Sequence, residues 1–185
     1  MEISAVICEY NPFHSGHAYH LARTREEAPG AVVCVMSGNF VQRGEAAIAD
    51  KFARAEAAVR GGADLVVELP HAFAMAAAPR FAAAGVHLAA LCGAKTLSFG
   101  AECADDKLLS RACALCESEQ VQESLRENLS RGLDYPAALT AAVRAADPAA
   151  AQILKSPNNA LAVEYLRALA AYHGMTPLAA ARTGA

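Results

Sequence analysis

The sequence lacks the features that would place the protein in a membrane or give it an overall affinity for nucleic acid. No uninterrupted apolar run approaches the ~20 residues that cross a bilayer, and no signal-peptide pattern follows Met1. We therefore expect a cytoplasmic protein with no membrane partner. The net charge is −3, which argues against nucleic-acid binding driven by overall charge but leaves room for a local basic patch.

The sequence also lacks a metal-binding pattern among its six cysteines. Cys113 and Cys116 form a lone CxxC within a helical pattern, and no second pair completes the four ligands of a structural zinc site. There is no HExxH motif either. We interpret the cysteines as small buried hydrophobes of a reduced protein, and we predict no resident metal site.

What is present is a regular alternation of apolar runs and helical patterns over the first hundred residues. The predicted strands are 3–9, 31–36, 63–69 and 94–99, and the predicted helices are 17–28, 50–60 and 79–91. The strands are nearly continuous apolar runs, as expected when both faces of a sheet are covered. Short strand–helix connections therefore predict an α/β fold, a Rossmann-like parallel sheet flanked by helices.

From Asp105 onward the pattern changes to helices, predicted over 105–118, 120–131, 136–146 and 159–173. We expect residues 1–104 to form a nucleotide-binding α/β core. Residues 105–185 would be a helical extension that packs on this core and completes its ligand site. The last helix should lead to a further strand, for which little sequence is left.

Polar residues follow the end of every predicted strand, at 9–17, 37–45, Glu68 with His71, and Gly100 with Glu102. In parallel sheets, ligands bind at the carboxyl ends of the strands, beside a topological switch point. One edge of the sheet is therefore predicted to carry the chemistry.

His14 and His17 flank Gly16 where the first helix begins. The N-terminus of a helix attracts anions, and a glycine lets a phosphate approach the backbone. Two imidazoles there can stabilise the charge that develops when a nucleotide α-phosphate is attacked. His17 and His20 share a helix face but have no evident third ligand, so phosphate binding is favoured over metal binding. His20 has the alternative of packing under the turn or capping a carbonyl.

Two further segments have both an ordinary and a functional interpretation. Lys155, Ser156, Asn158 and Asn159 lie at the start of the amphipathic helix. Either Asn158 or Asn159 is its N-cap, or the segment is a second phosphate or ribose clamp. The loop 37–45 is either solvated or faces the substrate, through Ser37, Gly38, Asn39, Gln42 and Arg43. We assign Arg54 and Glu56 to a solvated or ion-paired helix face. Arg182 could reach a triphosphate.

Four blocks of the sequence, taken together and in order, resemble one family. They are CEYNPFHSGHAYHL, VMSGNFVQRGEAAIADKFARAEAAVRGGADLVVELP, FGAE and KSPNNALAVEYLRAL. The chain resembles the tRNA(Met) cytidine acetate ligases, within the HxGH nucleotidyltransferase superfamily. The blocks cover nearly the whole chain and are far more specific jointly than HxGH alone.

The resemblance implies an enzyme that converts ATP and acetate to acetyl-adenylate and then acetylates N4 of the wobble cytidine of elongator tRNA(Met). It implies Mg²⁺ as a partner of the triphosphate, and catalysis by His14 and His17 through positioning and charge stabilisation. The expected ATP-binding residues are Ile7, Glu9, Tyr10, Asn11, Pro12, Phe13, His14, Gly16, His17, His20, Gly100, Lys155, Ser156, Asn158, Asn159 and Arg182.

Members of this family continue well beyond residue 185, with further helices and basic residues for tRNA. We therefore expect acetate activation to be retained and tRNA binding to be weakened in this chain. Two alternatives remain open: an adenylyltransferase for a small phosphorylated metabolite, and a nucleotide-binding module without catalysis. The sequence does not predict an oligomeric state.

Overall fold

The computed structural model describes residues 2–181, which form five strands and nine helices. The strands are β1 (Ile3–Cys8), β2 (Ala31–Ser37), β3 (Leu65–Leu69), β4 (Thr96–Ala101) and β5 (Thr176–Ala181). The helices are α1 (Ser15–Glu27), α2 (Lys51–Arg60), α3 (His71–Ala74), α4 (Ala78–Leu91), α5 (Asp106–Glu117), α6 (Glu119–Ser130), α7 (Tyr135–Ala146), α8 (Pro148–Ile153) and α9 (Pro157–Leu169).

The five strands form one parallel sheet in the order β3-β2-β1-β4-β5. This confirms the predicted Rossmann-like α/β fold. The chain builds outward from β1 through β2 to β3, and then crosses to β4 on the other side of β1. The topological switch point therefore lies between β1 and β4, whose carboxyl ends are neighbours.

Helices cover both faces of the sheet, as the nearly continuous apolar strands predicted. On one face Val6 and Cys34 pack with Leu21 of α1 and Ala58 of α2. On the other face a larger core includes residues of α4, α5, α7 and α9. Gly85 of α4 allows close packing on β1, because a Cβ there would lie 2.6 Å from Cδ1 of Ile7.

Two helices were not predicted, and the further strand expected after the last helix had no predicted bounds. The helices α3 and α8 have four and six residues, too few to show a helical period. Strand β5 has the sequence TPLAAA, which is poor in strand-forming residues. It forms because all six of its residues pair in register with β4, and so it is the further strand to which the last helix leads.

The cysteines are all free thiols. Cys34 and Cys116 are buried, and burial raises the pKa of Cys116 to about 12. Between residues 2 and 181, no group of three or more His, Cys, Asp or Glu side chains is placed to hold a metal ion. Within the same residues, no helix is both long and apolar enough to cross a membrane.

Candidate active site

The turn from β1 into α1 places His14 at the N-cap of the helix. Its Nδ1 accepts a hydrogen bond from the Gly16 N–H at 3.1 Å. His17, in the first turn of the helix, accepts from the His14 N–H through its own Nδ1 at 3.3 Å. The two imidazoles therefore satisfy N–H groups at the start of α1 and are fixed by the same turn.

The two rings stack, with centroids 3.7 Å apart and planes inclined by 26°. Because each Nδ1 accepts a hydrogen bond, each neutral ring carries its proton on Nε2. The helix therefore begins with two adjacent imidazole donors and a glycine. This arrangement suits a polyanion, because N–H donors and the helix dipole act in the same direction.

His20 lies deeper, against the neighbouring strand. Its Nε2 is 2.9 Å from Oγ of Ser98 in β4, and this Oγ is 2.7 Å from Oγ1 of Thr24. Thr24 and Ser98 are fully buried. The contact corresponds to the expected alternative in which His20 packs under the turn, and it ties α1 to the strand beside the switch point.

Residues 9–13 form a turn that is tied to the loop after β2 by two hydrogen bonds. The Glu9 carboxylate accepts from the Gln42 N–H, and the Asn11 side-chain oxygen accepts from the Ile48 N–H, both at 2.7 Å. Tyr10 is buried with a φ of 47°, an uncommon conformation for a large residue. The peptide bond to Pro12 is cis. The turn after β1 is thus held in place by the loop after β2.

The Phe13 ring packs between Tyr10 of this turn and Gly61 at the end of α2. It makes an edge contact with Tyr10, with centroids 4.9 Å apart. On its other side it lies against Gly61, where a Cβ would collide with the ring. Gly61 and Gly62 also end α2, as predicted, and Gly62 has a φ of 117°.

Arg54 is a correction to the sequence-based assignment. It does not lie on the expected solvated or ion-paired helix face, because it is only 2% exposed. Its guanidinium donates to the carbonyls of Glu9 at 2.5 Å and Ser37 at 3.2 Å, and also to that of Gly38. Its Nε donates to Ala49 at 3.0 Å. Burial lowers the pKa of this guanidinium, which stays charged because the ordinary pKa of arginine is so high.

The predicted substrate loop is divided between buried and exposed residues. Ser37 is fully buried, and its Oγ has no hydrogen-bond partner among the described residues. Gly38 lies against the Glu68 side chain, which pairs with Lys51 at 2.6 Å. Asn39 and Arg43 are exposed and Gln42 is half-buried. Only these last three are open to a substrate.

Glu102, at the end of β4, defines the start of α9. Its carboxylate accepts from the side-chain amide of Asn158 at 2.5 Å and from the N–H of Asn159 at 3.1 Å. The interpretation of an asparagine as the N-cap is wrong, because α9 begins earlier and has Ser156 at this position, without a side-chain capping bond. Asn159 is buried and accepts from the Cys103 N–H at 3.0 Å.

The remaining predicted ligands lie apart or outside the described residues. Lys155 lines a cavity of about 380 Å³ against α7, together with Arg144. Arg182 lies outside residues 2–181. Gly100 lies in β4, within the last residues before Glu102. The sheet order therefore brings the histidine turn, Gly100 and Glu102 to one edge.

Sequence reasoning missed the structural roles of Arg54 and Glu102. Glu102 had a signal, because it follows a strand end in the conspicuous FGAE block. Arg54 had none, because an arginine in an alanine-rich helix is ordinary and its four acceptors are backbone carbonyls.

Comparison with known proteins places this geometry in a family. A model of the HIGH nucleotidyl transferases matches residues 1–185. The chain is 47% identical to the tRNA(Met) cytidine acetate ligase of Syntrophotalea carbinolica, over 100% of this chain and 46% of that protein. It is 44% identical to the ligase of the same name from Acetivibrio thermocellus, over 91% and 42%.

A solved structure agrees with the sequence comparisons. The crystal structure of Thermotoga maritima TmcAL bound with alpha-thio ATP superposes with a TM-score of 0.90 at 36% identity, covering 100% of this chain and 47% of that one. The resemblance inferred from the four sequence blocks is thus confirmed. The chain spans less than half the length of these relatives. It belongs to the HIGH nucleotidyl transferase family.

Proposed function

We propose that this chain activates acetate with ATP, and that the activated acetyl group is destined for N4 of the wobble cytidine in elongator tRNA(Met). The observation that carries the proposal is the pair of stacked imidazoles at the N-terminus of α1, beside the β1–β4 switch point. The names of the relatives support acetate and tRNA as substrates. The alpha-thio ATP bound in the Thermotoga maritima structure supports ATP.

The triphosphate of ATP would lie over the start of α1. The Nε2–H groups of His14 and His17 are suitable donors to phosphate oxygens, and Gly16 presents backbone without a side chain. The nucleoside would lie toward Gly100, Asn158 and Asn159 at the end of β4 and the start of α9. We expect Mg²⁺ to enter on the triphosphate oxygens, since it is usually held by phosphates and few protein groups.

In the activation step, an acetate oxygen attacks the α-phosphorus of ATP and pyrophosphate leaves with the electrons of the broken P–O bond. His14 and His17 would stabilise the added charge by hydrogen bonds, without forming a covalent intermediate. In the transfer step, N4 of cytidine attacks the acetyl carbonyl carbon, AMP leaves, and N4 loses a proton. Asn39, Gln42 and Arg43 are the open residues of the loop proposed to face this acceptor.

The test is acetate-dependent exchange of labelled pyrophosphate into ATP by the 185-residue chain. We expect exchange in the wild type and a loss of at least about 100-fold in His17→Ala, a usual size for a lost catalytic donor. His87→Ala is the matched control, because His87 lies on α4 and bonds Tyr172 instead.

Unfolding in urea would show that both variants are folded. Undiminished exchange in His17→Ala would show that His17 does not stabilise the phosphates of ATP. Exchange that ignores acetate would indicate another acceptor, and ATP binding without exchange would indicate a non-catalytic module.

A further inference from the structure

Two adjoining cavities flank α7 on the side of the predicted substrate loop. One has a volume of about 380 Å³ and the other about 400 Å³, and they share Pro136 as a wall. We call them together the α7 groove. It is lined by Gln42, Met75, Ala76, Ala77, Ala78, Tyr135, Pro136, Ala137, Thr140, Ala141, Arg144, Leu154 and Lys155.

The charge of the groove differs from that of the whole chain. The chain has a net charge of −3, whereas the charged side chains that line the groove are Arg144 and Lys155, with no acidic residue among those described there. Neither cation makes an ion pair or a side-chain hydrogen bond within residues 2–181. Two uncompensated cations on the wall of a cavity favour an anionic ligand.

The shape of the groove favours an extended ligand. Ala137, Thr140, Ala141 and Arg144 lie on one face of α7, and the rise from Pro136 to Arg144 is about 12 Å. A stacked strand of nucleic acid rises about 3.4 Å per nucleotide, so the groove has room for a short run of nucleotides.

One end of the groove adjoins the proposed adenylate site. Gln42 lines it, and the Gln42 N–H bonds the Glu9 carboxylate in the turn after β1. The side-chain amide of Gln42 can both donate to and accept from a base edge. Tyr135 supplies a fixed wall, because its hydroxyl donates to Glu164 at 3.1 Å and accepts from Arg167 at 2.9 Å. Burial raises the pKa of Tyr135 to about 12, so it stays neutral.

We propose that the α7 groove binds the single-stranded segment of the acceptor RNA. Backbone phosphates lie against Arg144 and Lys155, and the target base lies against Met75 and Pro136 with its polar edge toward Gln42. Unstacked bases of RNA loops are recognised in this way, by apolar contact and amide hydrogen bonds, while cations hold the backbone. This inference rests on the proposed function, whose acceptor is a tRNA.

The test measures binding of an elongator tRNA(Met) transcript to the 185-residue chain by fluorescence anisotropy at several salt concentrations. Removal of one phosphate contact lowers the magnitude of the slope of log K against log salt by about 0.7. We expect this change in Arg144→Ala, and at least tenfold weaker binding at low salt in Arg144→Glu. Arg126→Glu is the charge-matched control, because Arg126 is exposed on α6 and lines neither cavity.

A second pair of variants, which add the same negative charge to α7, tests whether RNA occupies the groove. Ala141 lines the groove and Ala145 does not, although both are exposed on α7. We expect Ala141→Glu to weaken tRNA binding and Ala145→Glu to leave it nearly unchanged.

Equal effects in both members of either pair of variants would overturn the proposal that the α7 groove binds RNA. The absence of tRNA binding by the wild type at low salt would also overturn it. Pyrophosphate exchange separates this failure from that of the proposed function. The Arg144 and Ala141 variants should keep acetate-dependent exchange, because neither residue belongs to the ATP site. A wild type without such exchange would refute the proposed function by itself.

Discussion

At the scale of single residues, the buried Arg54 side chain holds together the backbone segments that surround the candidate site. Its donors reach carbonyls in the loops that follow β1 and β2 and in the segment before α2. Carbonyls that converge in this way repel one another unless a cation or several N–H donors lie between them. The guanidinium supplies those donors from one rigid plane.

We predict that Arg54→Ala lowers the free energy of unfolding by at least about 2 kcal/mol, because it leaves buried carbonyls without donors. Arg60→Ala, in the same helix, is the control. Arg60 is 79% exposed and pairs with Glu56 across one helical turn, so its loss should cost less than about 0.5 kcal/mol. Urea unfolding of both variants measures the difference. Equal losses of unfolding free energy in the two variants would show that the Arg54 hydrogen bonds add little to stability.

At the scale of elements, the start of α9 is set by a carboxylate from another part of the chain. Glu102 accepts hydrogen bonds at this helix N-terminus, where a negative charge also interacts favourably with the helix dipole. The helix has no side-chain capping bond from its own N-cap residue. The end of β4 therefore positions the two asparagines proposed to contact ATP.

We expect Glu102→Ala to lower the free energy of unfolding by about 1 kcal/mol, as for a lost helix cap. It should also raise the KM for ATP in pyrophosphate exchange more than it lowers kcat, because Asn158 and Asn159 lose their anchor. Glu123→Ala is the control, since Glu123 is exposed on α6 and has no ion pair within the described residues. A KM for ATP equal to that of the wild type would show that Glu102 does not position the residues that bind ATP.

At the scale of the whole molecule, Asp64 joins three elements. Its carboxylate accepts from the Val32 N–H in β2 and from Arg25 of α1, both at 2.7 Å, and it immediately precedes β3. The backbone bond from Val32, followed by the Arg25 bond, lowers the pKa of Asp64. The charged form is therefore favoured in the folded protein.

This shift gives stability a defined pH dependence. An unfolded aspartate titrates near pH 3.9, so the contribution of Asp64 is complete above about pH 5 and is lost as pH falls through the lower pKa of the folded state. We expect Asp64→Asn to cost below about 1 kcal/mol at pH 6, because the pair is half-exposed and screened. The cost should shrink near pH 3.

Urea unfolding at the two pH values measures this change. Asp64→Ala at the same two pH values should show the same loss of effect near pH 3, because it also removes the carboxylate. A cost of Asp64→Asn that is independent of pH would contradict the linkage.

The alternation of strands and helices could be predicted because it depends on local periodicity. The strands around Val6, Val33, Val67 and Leu97 are short apolar runs that end at polar turns. The histidine turn could also be predicted, since its bonds join residues two or three positions apart. The position of strand β5 could not be predicted, because its alanine-rich sequence forms a strand only by pairing with β4.

The sequence by itself determined the α/β class, the early alternation of strands and helices and the histidine turn at the start of α1, because all of these follow from patterns within a few residues. The tertiary structure alone decided that Arg54 would hold Glu9 across 45 positions and that Glu102 would hold Asn159 across 57. It also placed Arg144 and Lys155 on one groove beside Gln42. Such pairs leave no periodic signal, since their partners are brought together by the order of the strands and not by spacing along the chain.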